Sequence, residues 1–118
     1  MKNPGKQEAK SGGKAYNKLV RDRIPDIIKR NGQKPVTRIA NGDEFISALK
    51  EKIFEEADEL KRAGNESTEL EEIIDILEAV NAYMKHRKVS VRDAERMRKI
   101  KLKKRGGFDK KIILERVE

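Results

Sequence analysis

The sequence predicts an all-α protein: a helical hairpin and a third helix forming an oligomeric helix bundle, with short extended segments at its periphery. Three observations carry this expectation. Apolar residues recur at helical spacing over two long stretches, 44–62 and 68–87. The composition is that of helices with much wet surface: 42% of residues are charged, rich in Lys and Glu, 4% are aromatic and there is no Trp. The link between the two stretches is only a few residues, so they should fold back as an antiparallel pair. With 118 residues and 36% hydrophobic content, a single domain has a small core, and self-association is the expected way to complete it.

Each element has its own local signals. Residues 1–14 (MKNPGKQEAKSGGK) lack apolar periodicity and read as a disordered tail ahead of a domain spanning 15–118. In YNKLVRDRIPDIIKRNG, Pro25 suits the first turn of a short helix and Asn31-Gly32 its stop. Residues 34–40 (KPVTRIA) read as extended, with Pro35 disfavouring helix just before it. Asn41-Gly42 marks a turn, Asp43 is the expected N-cap of the first long helix, and Gly64-Asn65 ends it. Thr68 with Glu71 reads as a capping box for the second, and Ser90 with Asp93 caps a third over 91–104. Arg105-Gly106-Gly107-Phe108 breaks that helix. The β-branched run in KKIILERV, 110–117, reads as a strand that could pair with 36–40.

The chemistry centres on two carboxylate pairs at i, i+3: Glu56 with Glu59, inside EExxE, and Glu72 with Asp75, as ExxD. Residues three apart share a helix face. Two packed helices would therefore gather four like charges, an arrangement that a divalent cation with hard oxygen ligands would justify. Solvated helix faces also carry EExxE, because Glu is a good helix former. The helical wheel separates the two readings. Phe45, Ile46, Leu49, Ile53 and Leu60 form an apolar stripe, and Glu56 falls inside it. A carboxylate in a buried stripe is expensive unless paired or metal-bound. Glu59 lies at the stripe's edge beside Lys52, which would balance the cluster. In the second helix Ile73, Ile76, Leu77, Val80 and Met84 form the main stripe, with Ile74 outside it. Glu72 flanks this stripe. Asp75 shares another face with Ala79 and Ala82, small enough to admit a neighbouring helix.

Charge is uneven. The net charge is +8, yet acids dominate 43–78 and bases dominate 85–111. Such a basic region suits polyphosphate or nucleic acid. Lys18, Arg21 and Arg23 cluster before the short helix, where arginine could grip phosphate in bidentate fashion or simply pair with Asp22 and Asp26. The lone His86 lies at a helix end, where a charge contact with the terminus is expected. No Cys exists to act as nucleophile or thiolate ligand. Ser11-Gly12-Gly13-Lys14 lacks the spacing of a phosphate-binding loop. No apolar run approaches the ~20 residues needed to span a bilayer. Nothing resembles a signal peptide, so cytoplasm is the expected compartment.

EExxE at 55–59, then twelve intervening residues and ExxD at 72–75, resembles the signature of the all-α nucleoside triphosphate pyrophosphohydrolases, the MazG-like superfamily. LKEKIFEEADEL and ELEEIIDILEAV resemble its two metal-binding helices. YNKLVRDRIPDII and KRGGFDKKIILE resemble one branch, the predicted house-cleaning pyrophosphohydrolases related to phosphoribosyl-ATP pyrophosphohydrolase. The resemblance implies Mg²⁺ (or Mn²⁺) held by Glu56, Glu59, Glu72 and Asp75. It also implies a dimer or tetramer, and hydrolysis of nucleoside triphosphates, including altered ones, to monophosphate and pyrophosphate. Glu55, Glu56 and Glu59 would be the catalytic carboxylates, with Glu55 or the metal activating water. Lys18, Arg21, Arg23, Lys104 and Arg105 would meet the phosphates. The competing expectation is a non-catalytic module that binds nucleic acid or another partner through 85–111.

Overall fold

In a computed structural model, which describes residues 16–118, four helices form: α1 (Ile24–Arg30), α2 (Gly42–Arg62), α3 (Glu66–His86) and α4 (Val91–Arg105). The expected tail at 1–14 lies outside the described residues. Two compact units result, one reaching to Tyr83 and the other spanning Met84–Glu118.

In the first unit, α1 carries a proline in its first turn, where a missing N–H costs nothing. It stops as the sequence expects. Gly32 takes φ +81, its N–H donates to the Lys29 carbonyl, and the Gln33 N–H donates to the Ile28 carbonyl. These two reverse bonds satisfy carbonyls that the helix end leaves open.

The two long helices begin on caps other than those the sequence pointed to. Asn41, not Asp43, caps α2: its Oδ1 accepts from the Glu44 N–H at 2.8 Å. Asp43 is left inside the first turn, where its charge favours the helix dipole instead. Asn65, not Thr68, starts α3, its Oδ1 accepting from the Thr68 N–H at 2.9 Å. In both cases an Asn of the preceding turn reaches the N–H three residues on, so the helix begins earlier than the more familiar capping residue.

The stretch 33–40 forms no strand, and neither does 110–117; no strand occurs among the described residues. Val36, Ile39, Ile112, Ile113, Leu114 and Val117 are strongly exposed. An isolated β-branched run gains little from extension without a second backbone to share a ladder. The 33–40 segment is instead clipped to α2 by Arg38, whose guanidinium donates through both Nη atoms to the Glu44 carboxylate. That bond holds Glu44 below the usual carboxylate range. The clip is therefore intact at neutral pH and is lost only as pH falls through the lowered value.

Three residues, 63–65, join α2 to α3. The pair is antiparallel and closes on a face with Leu49 and Ala79 buried. The outer face of α3 departs from the wheel's expectation. Ile73 and Leu77, assigned to the buried stripe, are exposed, Leu77 at 62%. Together with Leu70 and Ile74 they form an outward row at i, i+3, i+4 and i+7. The inward face carries Glu72 and Ala79.

In the second unit, Ser90 caps α4 as expected, its Oγ accepting from the Asp93 N–H at 3.0 Å. Gly106, at φ +80, ends it. No residue of α4 is buried.

Removing the α2 cap tests this arrangement. Asn41→Ala should cost about 1 kcal/mol in urea unfolding, and Asp43→Ala only a few tenths. The reverse ranking would return the cap to Asp43.

Candidate metal centre

The hairpin geometry decides which carboxylates meet. Glu56 and Glu72 stand equally far from Gly64, one before and one after it, so an antiparallel pair sets them level. Both are buried, Glu56 at 3% and Glu72 at 2% exposure. Asp75 follows Glu72 by one turn on the same face and is half-buried. Oxygen atoms of Glu56, Glu72 and Asp75 lie within 4.8 Å of one another.

Glu59 stays outside this group. By the same count it is level with Glu69, one turn nearer the loop than Glu72 and two turns from Asp75. Its carboxylate accepts instead from Arg62 at 3.3 Å, and Arg62 also pairs with Asp58 at 2.8 Å. Three of the four expected ligands are therefore gathered.

The donor set fits a hard divalent cation. All three groups offer carboxylate oxygen, the ligand type that Mg²⁺ and Mn²⁺ prefer. Oxygens on one octahedral ion at ~2.1 Å stand about 3.0 Å apart when adjacent and about 4.2 Å when opposite. Carboxylates already within 4.8 Å can close to that spacing by small rotamer changes.

Two cations reach the centre from the segment before α1. Arg21 Nη2 donates to Asp75 Oδ1 at 2.7 Å, and Lys18 Nζ donates to Glu55 Oε1 at 3.1 Å. The Lys18 ammonium also stands 6.0 Å from the centre of the Tyr16 ring. Lys52, expected to balance the carboxylates, makes no ion pair among the described residues; Arg21 and Lys18 take that place. Arg23 is the residue preceding α1 and is exposed. Lys104 and Arg105 lie exposed in the last turn of α4, in the second unit.

The partners of Lys18 and Arg21 escaped sequence reasoning, which offered Asp22 and Asp26. The true partners are 37 and 54 residues away. No local spacing encodes such pairs; only the folded hairpin brings them near.

No family model matches the chain, and no solved structure matches it significantly. An uncharacterized protein of Mycolicibacterium smegmatis (strain ATCC 700084 / mc(2)155) is 45% identical over 53 residues, covering 45% of this chain and 54% of that protein. The chain thus spans about half the length of the curated relative it matches. No helix among the described residues is long and apolar enough to cross a membrane.

Like charges this close should make the hairpin sensitive to cations. Glu72→Gln removes one of these carboxylates and with it a ligand for any cation held there. Wild type should gain about 2.7 kcal/mol at Mn²⁺ one hundred times its Kd, a gain that Glu72→Gln largely loses. Thermal unfolding with Mn²⁺ and with chelator measures both. Equal shifts in the two proteins would place any cation elsewhere.

Proposed function

We propose that this protein is a divalent-metal-dependent pyrophosphohydrolase of the MazG-like kind. It would convert nucleoside triphosphates, altered ones among them, to monophosphate and pyrophosphate. The observation that carries the reading is a single one: Glu56 and Glu72, both buried, face each other with Asp75 at a spacing that suits one cation. Burying two carboxylates side by side is costly unless a positive charge compensates.

Glu56, Glu72 and Asp75 would hold Mg²⁺, while Glu59 stays with Arg62. The bound cation supplies neutralisation of phosphate charge and acidification of water. The chain's own groups supply the rest. Glu55 stands outside the three, one residue from Glu56 and about one-third exposed, and would take a proton from water. Arg21 and Lys18, with Arg23 beside them, offer cationic donors to phosphate oxygens. Lys104 and Arg105 are further candidates for that role. The absence of any Cys in the chain agrees with attack by water rather than by a thiolate.

Self-association belongs to the same reading. The row Leu70, Ile73, Ile74 and Leu77 is apolar and outward, the pattern of a helix that packs against a second copy.

A second reading has one specific observation in its favour. Arg92, Arg96, Lys99 and Lys103 lie along one side of α4, within an arc of about 60° at ~100° per residue. Such a row would suit a nucleic-acid backbone. It predicts strongly salt-dependent binding that ignores Mg²⁺ and Glu72.

Pyrophosphate release from a panel of standard and altered nucleoside triphosphates tests the main reading. Release should require Mg²⁺, fall at least 100-fold in Glu72→Gln, and fall less than 10-fold in Glu59→Gln if the latter stays with Arg62. Retained turnover in Glu72→Gln would refute the site. Absence of release from the whole panel, with phosphoribosyl-ATP included, would favour nucleic acid.

A further inference from the structure

We infer that Arg21 is a displaceable counter-ion of the carboxylate centre. Its guanidinium holds Asp75 until a divalent cation arrives together with a polyphosphate, and then exchanges carboxylate for phosphate. The inference rests on the reading of Glu56, Glu72 and Asp75 as a cation site, and adds to it how that site selects its ligand.

The geometry pairs each cation of a short segment with one acid of the hairpin. Arg21 Nη2 meets Asp75 Oδ1 at 2.7 Å, and Lys18 Nζ meets Glu55 Oε1 at 3.1 Å. Asp75 belongs to the three gathered carboxylates. Its carboxylate therefore faces two claims, one from the guanidinium and one from any cation in the centre. The two ends of the bond differ in freedom: the Arg21 side chain is 52% exposed and that of Asp75 only 20%. Arg21 has room to swing away, while Asp75 is held by the face of α3.

The energetics follow from charge alone. A bare divalent cation that claims Asp75 repels Arg21 and leaves it with water, so the cation binds more weakly than three carboxylates would allow. A cation that arrives on a polyphosphate brings acceptors of its own. Phosphate oxygens match the planar fork of a guanidinium, so Arg21 loses one anion and gains another. Cation and polyphosphate then bind with positive coupling, and such coupling is reciprocal. The site would prefer the metal complex of a phosphate chain over either component by itself. Lys18, released from Glu55 in the same way, would leave that carboxylate free beside the centre.

Calorimetric titration of the full chain tests this, with Mn²⁺ alone and with the Mn²⁺ complex of imidodiphosphate. Arg21→Gln should bind Mn²⁺ alone about 10-fold more tightly than wild type, the size of an ordinary coupling between sites. It should bind the imidodiphosphate complex at least 10-fold more weakly. A purely structural ion pair would instead lower the unfolding temperature and leave the Mn²⁺ affinity unchanged or weaker. Arg21→Lys keeps a charge on Asp75 and guards against loss of the fold in the first variant. It should bind Mn²⁺ within about twofold of wild type yet hold the complex less well, since an ammonium lacks the fork. If wild type binds Mn²⁺ and Arg21→Gln binds it no more tightly, the exchange is overturned and the cation site stands. If neither binds Mn²⁺, the cation site falls and the exchange with it.

Discussion

Three carboxylates, from Glu56, Glu72 and Asp75, crowd together in the α2–α3 hairpin. Glu56 and Glu72 are level across an antiparallel pair, and Asp75 is one turn further along. Most of what surrounds them can be understood as ways of tolerating that concentration of negative charge. The segment before α1 brings Arg21 against Asp75 and Lys18 against Glu55. Arg62 draws Asp58 and Glu59 toward itself, which spares the centre a fourth charge.

This constraint also explains the orientation of α3. A helix with both carboxylates and large aliphatic residues must choose which set to turn toward its neighbour. Burial of aliphatic side chains would ordinarily decide, at about 1.5–3 kcal/mol each. Here the inward face holds Glu72 and Ala79, while Leu70, Ile73, Ile74 and Leu77 point outward. Within the first unit the carboxylates take precedence.

Much of this was legible in the sequence, and the failures share a cause. The hairpin followed from two periodic stretches and a short link. The burial of Glu56 followed from its place in the stripe of Phe45, Leu49 and Ile53, because a wheel fixes which residues share a direction. A wheel does not say which direction faces the neighbour, so the outward turn of Ile73 and Leu77 could not be read. Spacing put Glu59 with Glu56, but the level of each residue in the hairpin, counted from Gly64, separates it from Asp75. The caps at Asn41 and Asn65 were missed because Asp43 and Thr68 are also capping types, and backbone geometry decides which one reaches the helix N–H groups. The strand expected at 110–117 needed a partner that periodicity cannot supply.

The outward row on α3 has a thermodynamic consequence of its own. Any molecule that covers those four side chains only in the folded protein stabilises the hairpin by an amount that grows with its concentration relative to its Kd. If the cover is a second copy of the chain, the folded fraction depends on how much of the protein is present, and dilution alone moves the midpoint of unfolding. In that case the chain would have no single melting temperature, only one for each concentration.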